Sequence, residues 1–329
     1  MNILVVSGGS GGHIYPAISF IENIKEHNII YLGTTSKLEK NILPNLNINY
    51  YLLKTIGLKK NMIDKIKFIY YLIKNFFLVL KIIKKEKIDK IITFGGYSSS
   101  SVFLVNLFLK KEIYIHEQNA IIGRNNKLML KYTTKMFTSF KNTIGINKKY
   151  LSKVIYTGNT RFFNKIKTNK EFNILIMSGS LGASTITNKL LPLLDKYKNI
   201  YLISGINNEF KHSKIINYIN NMEEFMNNFS LIITRAGATS LNEISSLGIP
   251  SIIIPSPYVI NDHQTINAKE YLKEKRGYLI KEEELNINDM IQLIDKIKSN
   301  KFLYEELKNN TLKFYNKNAI KIIKREMKI

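Results

Sequence analysis

Twice along this chain, a short run of apolar and β-branched residues ends in a glycine-rich turn that leads into a helix. The first run covers residues 2–7 and continues into GGSGGH at 8–13, and the second covers 172–177 and continues into SGSLG at 178–182. Short strands alternate with longer amphipathic stretches in both halves, which is the pattern of parallel sheets with crossover helices. The sequence therefore predicts an α/β protein of two doubly wound, Rossmann-like domains.

The same pattern predicts the elements and the domain limits. Strands are predicted at 2–7, 28–33, 48–53, 89–94, 112–116, 135–138, 153–157, 172–177, 199–204, 230–233, 251–254 and 277–280. Helices are predicted at 14–26, 62–86, 99–109, 123–131, 183–197 and 301–328. The predicted first domain is 1–160 and the second is 161–311, with a C-terminal helix at about 312–329 that packs back on the first. Because ligands bind at the carboxyl ends of parallel strands, we expect the site in a central cleft between two facing sheets.

Composition excludes several classes of protein. The 329 residues carry a formal net charge of +24, which indicates an anionic partner or only a genome rich in Lys, Asn and Ile. No RNA-binding signature or zinc spacing is present, so we expect no nucleic-acid partner. Cysteine is absent, which excludes disulfides and thiolate chemistry. Without a signal-peptide pattern or an uncharged apolar run of about 20 residues, we expect a cytoplasmic protein, soluble or attached to a surface.

The first glycine loop suits an anion or a sugar better than a dinucleotide. Its glycines permit turn conformations and let backbone N–H groups approach a ligand. Ile14 occupies the third glycine position of the dinucleotide fingerprint, and no Gly-Lys-Ser/Thr follows, so it is not a P-loop either. A tight turn without a ligand is the alternative. His13 stands at the helix start, where the helix dipole favours a neutral imidazole that is able to act as a base.

Two loops of the second half are candidate phosphate and ribose sites. Ser180 offers a hydroxyl beside the N–H groups of a helix start, which favours a bound phosphate. The loop 234–242 leads into a helix with Glu243 in its first turns. A carboxylate there can accept two hydrogen bonds from a ribose diol, although a solvent-facing glutamate is the alternative. No Asp-x-Asp occurs, so we expect helix N-termini and an arginine to neutralise a diphosphate without a metal.

Two polar clusters follow predicted strands at the same sheet edges. One is HEQN at 116–119, and the other is NDHQTINA at 261–268. Their amide side chains carry the donor and acceptor pairs that recognise sugar hydroxyls. Each cluster alone is compatible with ordinary loop polarity, but together they favour a sugar-nucleotide site.

In their order and spacing these loops resemble the MurG family, bacterial peptidoglycan N-acetylglucosaminyltransferases of the GT-B fold. The motifs that carry the resemblance are GGSGGH at 8–13, GGYS at 95–98, HEQN at 116–119, GN at 158–159, GSLGA at 179–183, RAGAT at 235–239, Glu243 and HQ at 263–264. The resemblance implies an inverting transfer of N-acetylglucosamine from UDP-N-acetylglucosamine to undecaprenyl-diphospho-muramoyl-pentapeptide. It also implies a peripheral enzyme on the cytoplasmic face of the inner membrane, without a cofactor, that serves cell-wall biogenesis.

Residue roles follow from the same resemblance. His13 matches the family's catalytic base candidate. The donor contacts implied are Ser10, Gly11, Gly12, Asn119, Arg161, Ser180, Ile219, Ala236, Gly237, Ala238, Thr239, Glu243, Gln264 and Thr265. The acceptor or cleft residues implied are Tyr97, Ser98, His116 and Glu117. The family's Gly-Asn-Pro-x-Arg is shortened here to Gly158-Asn159-Thr160-Arg161, and Ser178 replaces a glycine.

Other functions stay open at this point. One alternative is another GT-B transferase, such as one that glycosylates diacylglycerol, and another is a UDP-sugar epimerase, with Glu117 as a candidate carboxylate. A third is a non-catalytic protein that binds a sugar nucleotide or a membrane. UDP release from donor and lipid acceptor together distinguishes the transferase from the last of these.

Residues 62–85 predict a helix dense in apolar and aromatic residues that lysines interrupt too often for a membrane span. A buried crossover helix with snorkelling lysines is one interpretation. The other is a surface helix whose aromatic residues enter the membrane interface while Lys65, Lys67 and Lys74 meet anionic phospholipid.

Overall fold

The computed structural model describes residues 1–56, 61–166, 171–177, 184–205, 210–217, 219 and 221–329. The chain forms two compact units. Met1–Arg161 together with Lys317–Ile329 is the first domain, and Phe162–Asn316 is the second. Each contains a parallel sheet with helices, so the predicted α/β class with two doubly wound domains is confirmed.

The first domain is built on a parallel sheet of seven strands in the order β3-β2-β1-β4-β5-β6-β7 within the described residues. Its strands are β1 (Asn2–Val6), β2 (Asn28–Thr34), β3 (Asn49–Leu53), β4 (Lys90–Thr93), β5 (Glu112–Glu117), β6 (Lys135–Thr138) and β7 (Val154–Tyr156). Its first helices are α1 (Gly11–Glu22), α2 (Lys37–Ile42), α3 (Met62–Lys85), α4 (Ser98–Leu109) and α5 (Arg124–Met129). The strand order reverses between β1 and β4, and loops after these two strands therefore flank a crevice at the carboxyl edge.

The second domain repeats this plan with six parallel strands, in the part of the chain that the structure describes, ordered β10-β9-β8-β11-β12-β13. Its strands are β8 (Ile174–Met177), β9 (Ile200–Ile203), β10 (Ile215–Ile216), β11 (Leu231–Thr234), β12 (Ser251–Ile253) and β13 (Gly277–Leu279). Its helices are α6 (Ser184–Leu190), α7 (Pro192–Lys196), α8 (Met222–Met226), α9 (Ala238–Leu247), α10 (His263–Leu272), α11 (Ile287–Ser299) and α12 (Lys301–Leu312). Here the order reverses between β8 and β11, so the crevice lies beside the start of α9.

The last helix, α13 (Ala319–Met327), belongs to the first domain although the residues before it belong to the second. Ile320, Ile323 and Met327 are buried, and they recur at helical spacing along one face. Lys135 pairs with Glu326, and Lys324 pairs with Glu26. These contacts attach the end of the chain to the sheet and to the loop before β2.

Three predicted helices are wrong in extent. The helix predicted at 301–328 is two helices, because α12 ends at Leu312 and the chain passes into the first domain before α13 begins. The helix predicted at 183–197 is broken before Pro192, which begins α7 at a position where its missing N–H costs nothing. The helix predicted at 14–26 begins earlier, at Gly11, which places His13 in its first turn.

Both cores are mainly aliphatic, as expected for sheets covered on both faces. In the first domain the central strands bury residues such as Leu4, Val6 and Ile91 completely. In the second, Leu175, Ile232 and similar residues do the same. Rigid sheets therefore fix the positions of the loops at their carboxyl edges. Among the helices of the described ranges, none has the length and apolar character needed to cross a membrane.

Candidate functional site

The loops after β1 and β4 lock together at the crevice of the first domain. Gly9, Gly95 and Gly96 have φ values of +94°, +96° and +91°, in the region that favours glycine. A Cβ on Gly96 would stand 2.3 Å from the carbonyl oxygen of Gly8, so the two backbones approach as only glycines allow. The hydroxyl of Ser98 donates to the carbonyl of Ser7 at 2.5 Å. Ser98, expected at the acceptor site, is fully buried and joins these loops.

His13 lies in the first turn of α1, and its ring has a defined partner. Nδ1 of His13 is 2.9 Å from Oε1 of Gln118. Gly95 packs on the same edge of the ring, since a Cβ there would lie 3.1 Å from both Nδ1 and Cε1. Ser10 and Gly12, on either side of the buried Gly11, are exposed at the start of the helix. The imidazole is thus held beside backbone that a ligand can reach.

His116 and Gln118 form a buried layer next to His13. Nε2 of His116 lies 3.1 Å from the carbonyl oxygen of Gly158. Burial lowers the pKa of His116 to about 4, so the ring is neutral near pH 7. Nε2 of Gln118 lies 3.0 Å from Nδ1 of His116. His116, expected at the acceptor site, therefore reaches His13 only through Gln118. Gln118 belongs to the predicted polar cluster 116–119, but its sequence position alone indicated no role for it.

Glu117, between these two residues, forms hydrogen bonds with the loop that follows β5. Its carboxylate accepts hydrogen bonds from the backbone N–H of Gly123 at 2.8 Å and from Nδ2 of Asn126 at 2.8 Å. It also accepts from the backbone N–H of Asn119 at 3.1 Å. The side chain is 2% exposed, and its oxygens shape the loop that carries Asn119. This carboxylate therefore fixes the conformation of the loop, and its oxygens are occupied by these three donors.

Arg161 and Tyr97 also belong to the first domain. The guanidinium of Arg161 lies over the ring of Tyr15 on α1, 5.5 Å from its centroid, and its backbone N–H donates to Oδ1 of Asn159 at 2.9 Å. The hydroxyl of Thr160 donates to the carbonyl of Pro16 at 2.7 Å. These contacts place a cation beside α1, the helix that carries His13. Tyr97, just before α4, is 48% exposed.

The second domain presents the N-terminus of α9 at its own crevice. Ala236 and Gly237 connect β11 to this helix, and Ala238 and Thr239 begin it. Nδ2 of the buried Asn267 donates to the carbonyl of Ala236 at 3.1 Å. A helix start of this kind attracts a phosphate through its N–H groups and its dipole. Asn267, which belongs to the predicted polar cluster 261–268, therefore holds the turn before α9.

A buried ion pair stabilises the loop between β11 and α9. Nη1 of Arg235 lies 2.6 Å from Oε2 of Glu282 and 3.2 Å from the carbonyl oxygen of Ile254 at the end of β12. Both charged side chains are less than a tenth exposed. Arg235 therefore stabilises the loop before α9, and its charge is already compensated.

The remaining expected donor residues lie on neighbouring elements of the second domain. Glu243 is half-buried in the second turn of α9, and Gln264 accepts at Oε1 from the backbone N–H of Ser256 at 2.8 Å. Thr265 follows it on α10, and Ile219 packs on an apolar cluster that includes Phe229. Ser180 lies outside the described residues. Across the residues that are described, no group of three His, Asp or Glu side chains suits a metal ion.

Comparisons with known proteins cover both domains. Residues 3–138 match the model of the glycosyltransferase family 28 N-terminal domain, and residues 164–324 match that of the family's C-terminal domain. The chain is 33% identical to the UDP-N-acetylglucosamine–N-acetylmuramyl-(pentapeptide) pyrophosphoryl-undecaprenol N-acetylglucosamine transferase of Pediococcus pentosaceus, over 90% of both chains. It is 34% identical to the enzyme of the same name from Latilactobacillus sakei, over 89% of this chain and 90% of the relative.

Solved structures share the fold. MurG of Acinetobacter baumannii superposes with a TM-score of 0.77 at 23% identity and covers 100% of this chain, 99% of its own. The UDP complex of MnaA from S. aureus superposes with a TM-score of 0.69 at 17% identity, over 99% of this chain and 96% of its own. At these identities the structures establish the two-domain architecture only.

Proposed function

Because this chain belongs to the MurG family of N-acetylglucosamine transferases, within glycosyltransferase family 28, we propose that its second domain binds the donor and its first supplies the base. N-acetylglucosamine is transferred from UDP-N-acetylglucosamine to undecaprenyl-diphospho-N-acetylmuramoyl-pentapeptide, the step from lipid I to lipid II in peptidoglycan synthesis. The reaction inverts the configuration at the anomeric carbon.

We assign His13 as the base because of its position. Its ring is held at Nδ1 by Gln118 at the carboxyl edge of the first sheet. The neighbouring loop residues are Gly11 and the exposed Ser10 and Gly12. Glu117, the nearby carboxylate, is occupied by its own loop. His13 therefore removes the proton of the acceptor hydroxyl as its oxygen attacks the anomeric carbon and UDP departs.

The donor is held by the second domain through a helix start and polar side chains. The N–H groups at Gly237, Ala238 and Thr239 face the diphosphate, and Glu243 accepts from the ribose hydroxyls. Gln264 and Thr265 contact the sugar. Ser180 contacts a phosphate, and Ile219 contacts the uracil. Ala236 completes the turn, which Asn267 and Arg235 support. Since charge grows on the departing UDP, these donors stabilise the transition state more than the bound donor.

The first domain adds contacts around the same reaction. Arg161 supplies a positive charge to the diphosphate, Asn119 contacts the donor sugar, and Ser10, Gly11 and Gly12 bring backbone close to it. Tyr97 stands at the acceptor. No metal is needed, because helix starts and Arg161 carry the compensating charge.

The acceptor is lipid-linked, and α3 offers a surface for the membrane that contains it. Its most exposed apolar residues lie within roughly 120° around the helix at about 100° per residue. They are Met62, Ile63, Ile66, Ile69, Tyr70, Ile73 and Phe77, each at least 54% exposed. Lys65, Lys67 and Lys74 are exposed on either side of this stripe. The enzyme is therefore a peripheral protein that meets anionic phospholipid on the cytoplasmic face of the inner membrane.

A coupled assay tests the function. Purified protein is mixed with UDP-N-acetylglucosamine and either lipid I or a diacylglycerol acceptor, and UDP and glycolipid are measured. We expect UDP release only with lipid I. Release with diacylglycerol alone, or formation of N-acetylmannosamine without an acceptor, would reassign the reaction to another transferase or to an epimerase. Binding of donor without any product would reduce the chain to a binding protein.

A further inference from the structure

We propose that Gln118 and His116 are positioning residues that fix the tautomer of His13, so that Nδ1 carries the proton and Nε2 keeps the lone pair. The inference rests on the proposed function, because it explains which nitrogen of the same His13 receives the acceptor's proton. It comes from three side chains hydrogen-bonded in series, His13, Gln118 and His116, which end at the carbonyl of Gly158.

The assignment begins at the buried end of the series. A carbonyl oxygen only accepts hydrogen bonds, so Nε2 of His116, 3.1 Å from the oxygen of Gly158, carries a proton. The ring is fully buried, and burial lowers its pKa to about 4, so near pH 7 it is neutral and has one N–H. Nδ1 of His116 is therefore an acceptor.

This acceptor orients the amide of Gln118. Nε2 of Gln118 lies 3.0 Å from Nδ1 of His116 and 3.0 Å from the backbone oxygen of His116, and its two N–H groups satisfy both. A reversed amide would place Oε1 against two acceptors. Gln118 is 2% exposed, so water could not compensate for that loss. Oε1 of Gln118 consequently faces His13.

The orientation of Gln118 in turn decides the protonation of His13. Because Oε1 only accepts, Nδ1 of His13, 2.9 Å away, must donate. The neutral ring then has its lone pair on Nε2. The opposite tautomer would direct the lone pair of Nδ1 at Oε1, which removes a hydrogen bond and adds repulsion. Gly95 packs on this edge of the ring and restricts its rotation.

The tautomer determines the direction of proton transfer. The acceptor O–H gives its proton to Nε2, its oxygen bonds to the anomeric carbon, and the bond from that carbon to the diphosphate oxygen breaks with its electron pair leaving on UDP. His13 then carries a positive charge, and its Nδ1–H bond to Gln118 becomes charge-assisted, hence stronger. Gln118 thus supports the imidazole both before and after the transfer.

Nitrogen NMR of the full-length protein reads the tautomer directly. The protein is labelled with ¹⁵N-histidine, and the signals of His13, one of 5 histidines, are identified by their loss in His13→Asn. Long-range ¹H–¹⁵N correlations distinguish a protonated ring nitrogen from one with a lone pair. We expect a protonated Nδ1 and an unprotonated Nε2 in the neutral ring. If the neutral ring of His13 in the native protein carries its proton on Nε2, the proposal is overturned without any variant.

Variants then test whether Gln118 is the cause. Gln118→Met keeps the length of the side chain but removes the amide, so the Nδ1–H form should lose its dominance. We expect kcat to fall at least ~10-fold while KM for UDP-N-acetylglucosamine changes less than about 2-fold. Gln118→Glu retains an acceptor and should keep the Nδ1–H tautomer. Gln292→Met, the same change at an exposed position of α11, should alter neither the tautomer nor the rate.

The NMR spectrum tests the tautomer of His13, whereas transfer to lipid I tests the proposed function. An unchanged tautomer in Gln118→Met means that Gln118 does not position His13, whatever the rate. The NMR result requires no turnover. A protein that shows the expected tautomer but transfers nothing to lipid I would therefore contradict the proposed function alone.

Discussion

Adjacent residues at the end of β5 serve opposite purposes because a strand directs successive side chains to opposite faces. His116 and Gln118 interact with each other on one face and reach His13. Glu117, between them, turns to the other face and binds the loop of Gly123 and Asn126. The end of this strand therefore contributes alternating residues, a hydrogen-bonded pair that leads to His13 and a carboxylate that holds the next loop.

Replacement of His13 tests the base. His13→Ala should lower kcat by about 10²–10⁴-fold, because the acceptor hydroxyl loses its proton acceptor. Affinity for UDP, measured by calorimetry, should stay within about 2-fold, since other residues make the contacts proposed for UDP. His27→Ala, before the amino end of β2, serves as the control. Equal losses in affinity and rate would make His13 a binding residue.

Replacement of Glu243 should produce the opposite pattern. A carboxylate that accepts hydrogen bonds from ribose contributes about 1.5–3 kcal/mol, so Glu243→Ala should weaken UDP binding by roughly 10–100-fold. The preference for uridine diphosphate over its 2′-deoxy analogue should also disappear. Glu283→Ala removes an exposed carboxylate of the same domain and is the matched control. Unchanged UDP affinity in Glu243→Ala would indicate a solvent-facing glutamate.

In the proposed reaction, the N-terminus of α9 supplies the positive charge that a metal ion would otherwise supply. A helix start carries roughly half a positive charge, and Arg161 adds a full one. We therefore expect EDTA to leave both UDP binding and turnover unchanged, and added Mg²⁺ to restore nothing. Activity that disappears with EDTA and returns with Mg²⁺ would contradict this account.

Helix α3 is the element that should decide membrane binding. Each basic residue near an anionic surface contributes about 1 kcal/mol, so changing Lys65, Lys67 and Lys74 to Glu should weaken binding to anionic vesicles by at least ~10²-fold. The measurement is co-sedimentation with phosphatidylglycerol vesicles at low and high salt. Neutral vesicles should bind weakly, and UDP affinity should survive.

A charge-matched control distinguishes an effect of the α3 surface from an effect of total net charge. Lys296, Lys298 and Lys301 are exposed in the second domain, and their change to Glu alters net charge equally. We expect this control to bind anionic vesicles far better than the α3 variant. Equal losses in both would mean that only total charge matters, and no binding by the native protein would remove the membrane surface from the proposal.

Helix α13 returns the end of the chain to the first domain after the second domain is complete. Ile323 is fully buried there, so Ile323→Ala should destabilise that domain by about 2–5 kcal/mol. Calorimetry should show one unfolding transition at a lower temperature, while the UDP-stabilised transition of the second domain moves little. Lys321→Ala, at an exposed position of the same helix, should change neither. A shift of the second transition alone would be inconsistent with the packing of α13.

Local sequence patterns predict the fold class and every described strand except the two-residue β10 (Ile215–Ile216), which no predicted strand covers. Apolar runs of 4–7 residues, glycine turns and amphipathic stretches are local signals, and they placed the strands to within a few residues. The breaks before Pro192 and after Leu312 escaped this pattern. The second depends on the passage of the chain between domains, which no local signal records.

Which side chains meet depends on how the elements pack. His13 and Gln118 are 105 residues apart in sequence, and their hydrogen bond exists because the strand order places β1 and β5 on either side of β4. The same packing buries His116 and Ser98, turns Glu117 into its loop, and leaves the apolar stripe of α3 exposed. Sequence patterns specify elements through local propensity and periodicity, whereas partners and burial depend on long-range packing that the pattern does not contain.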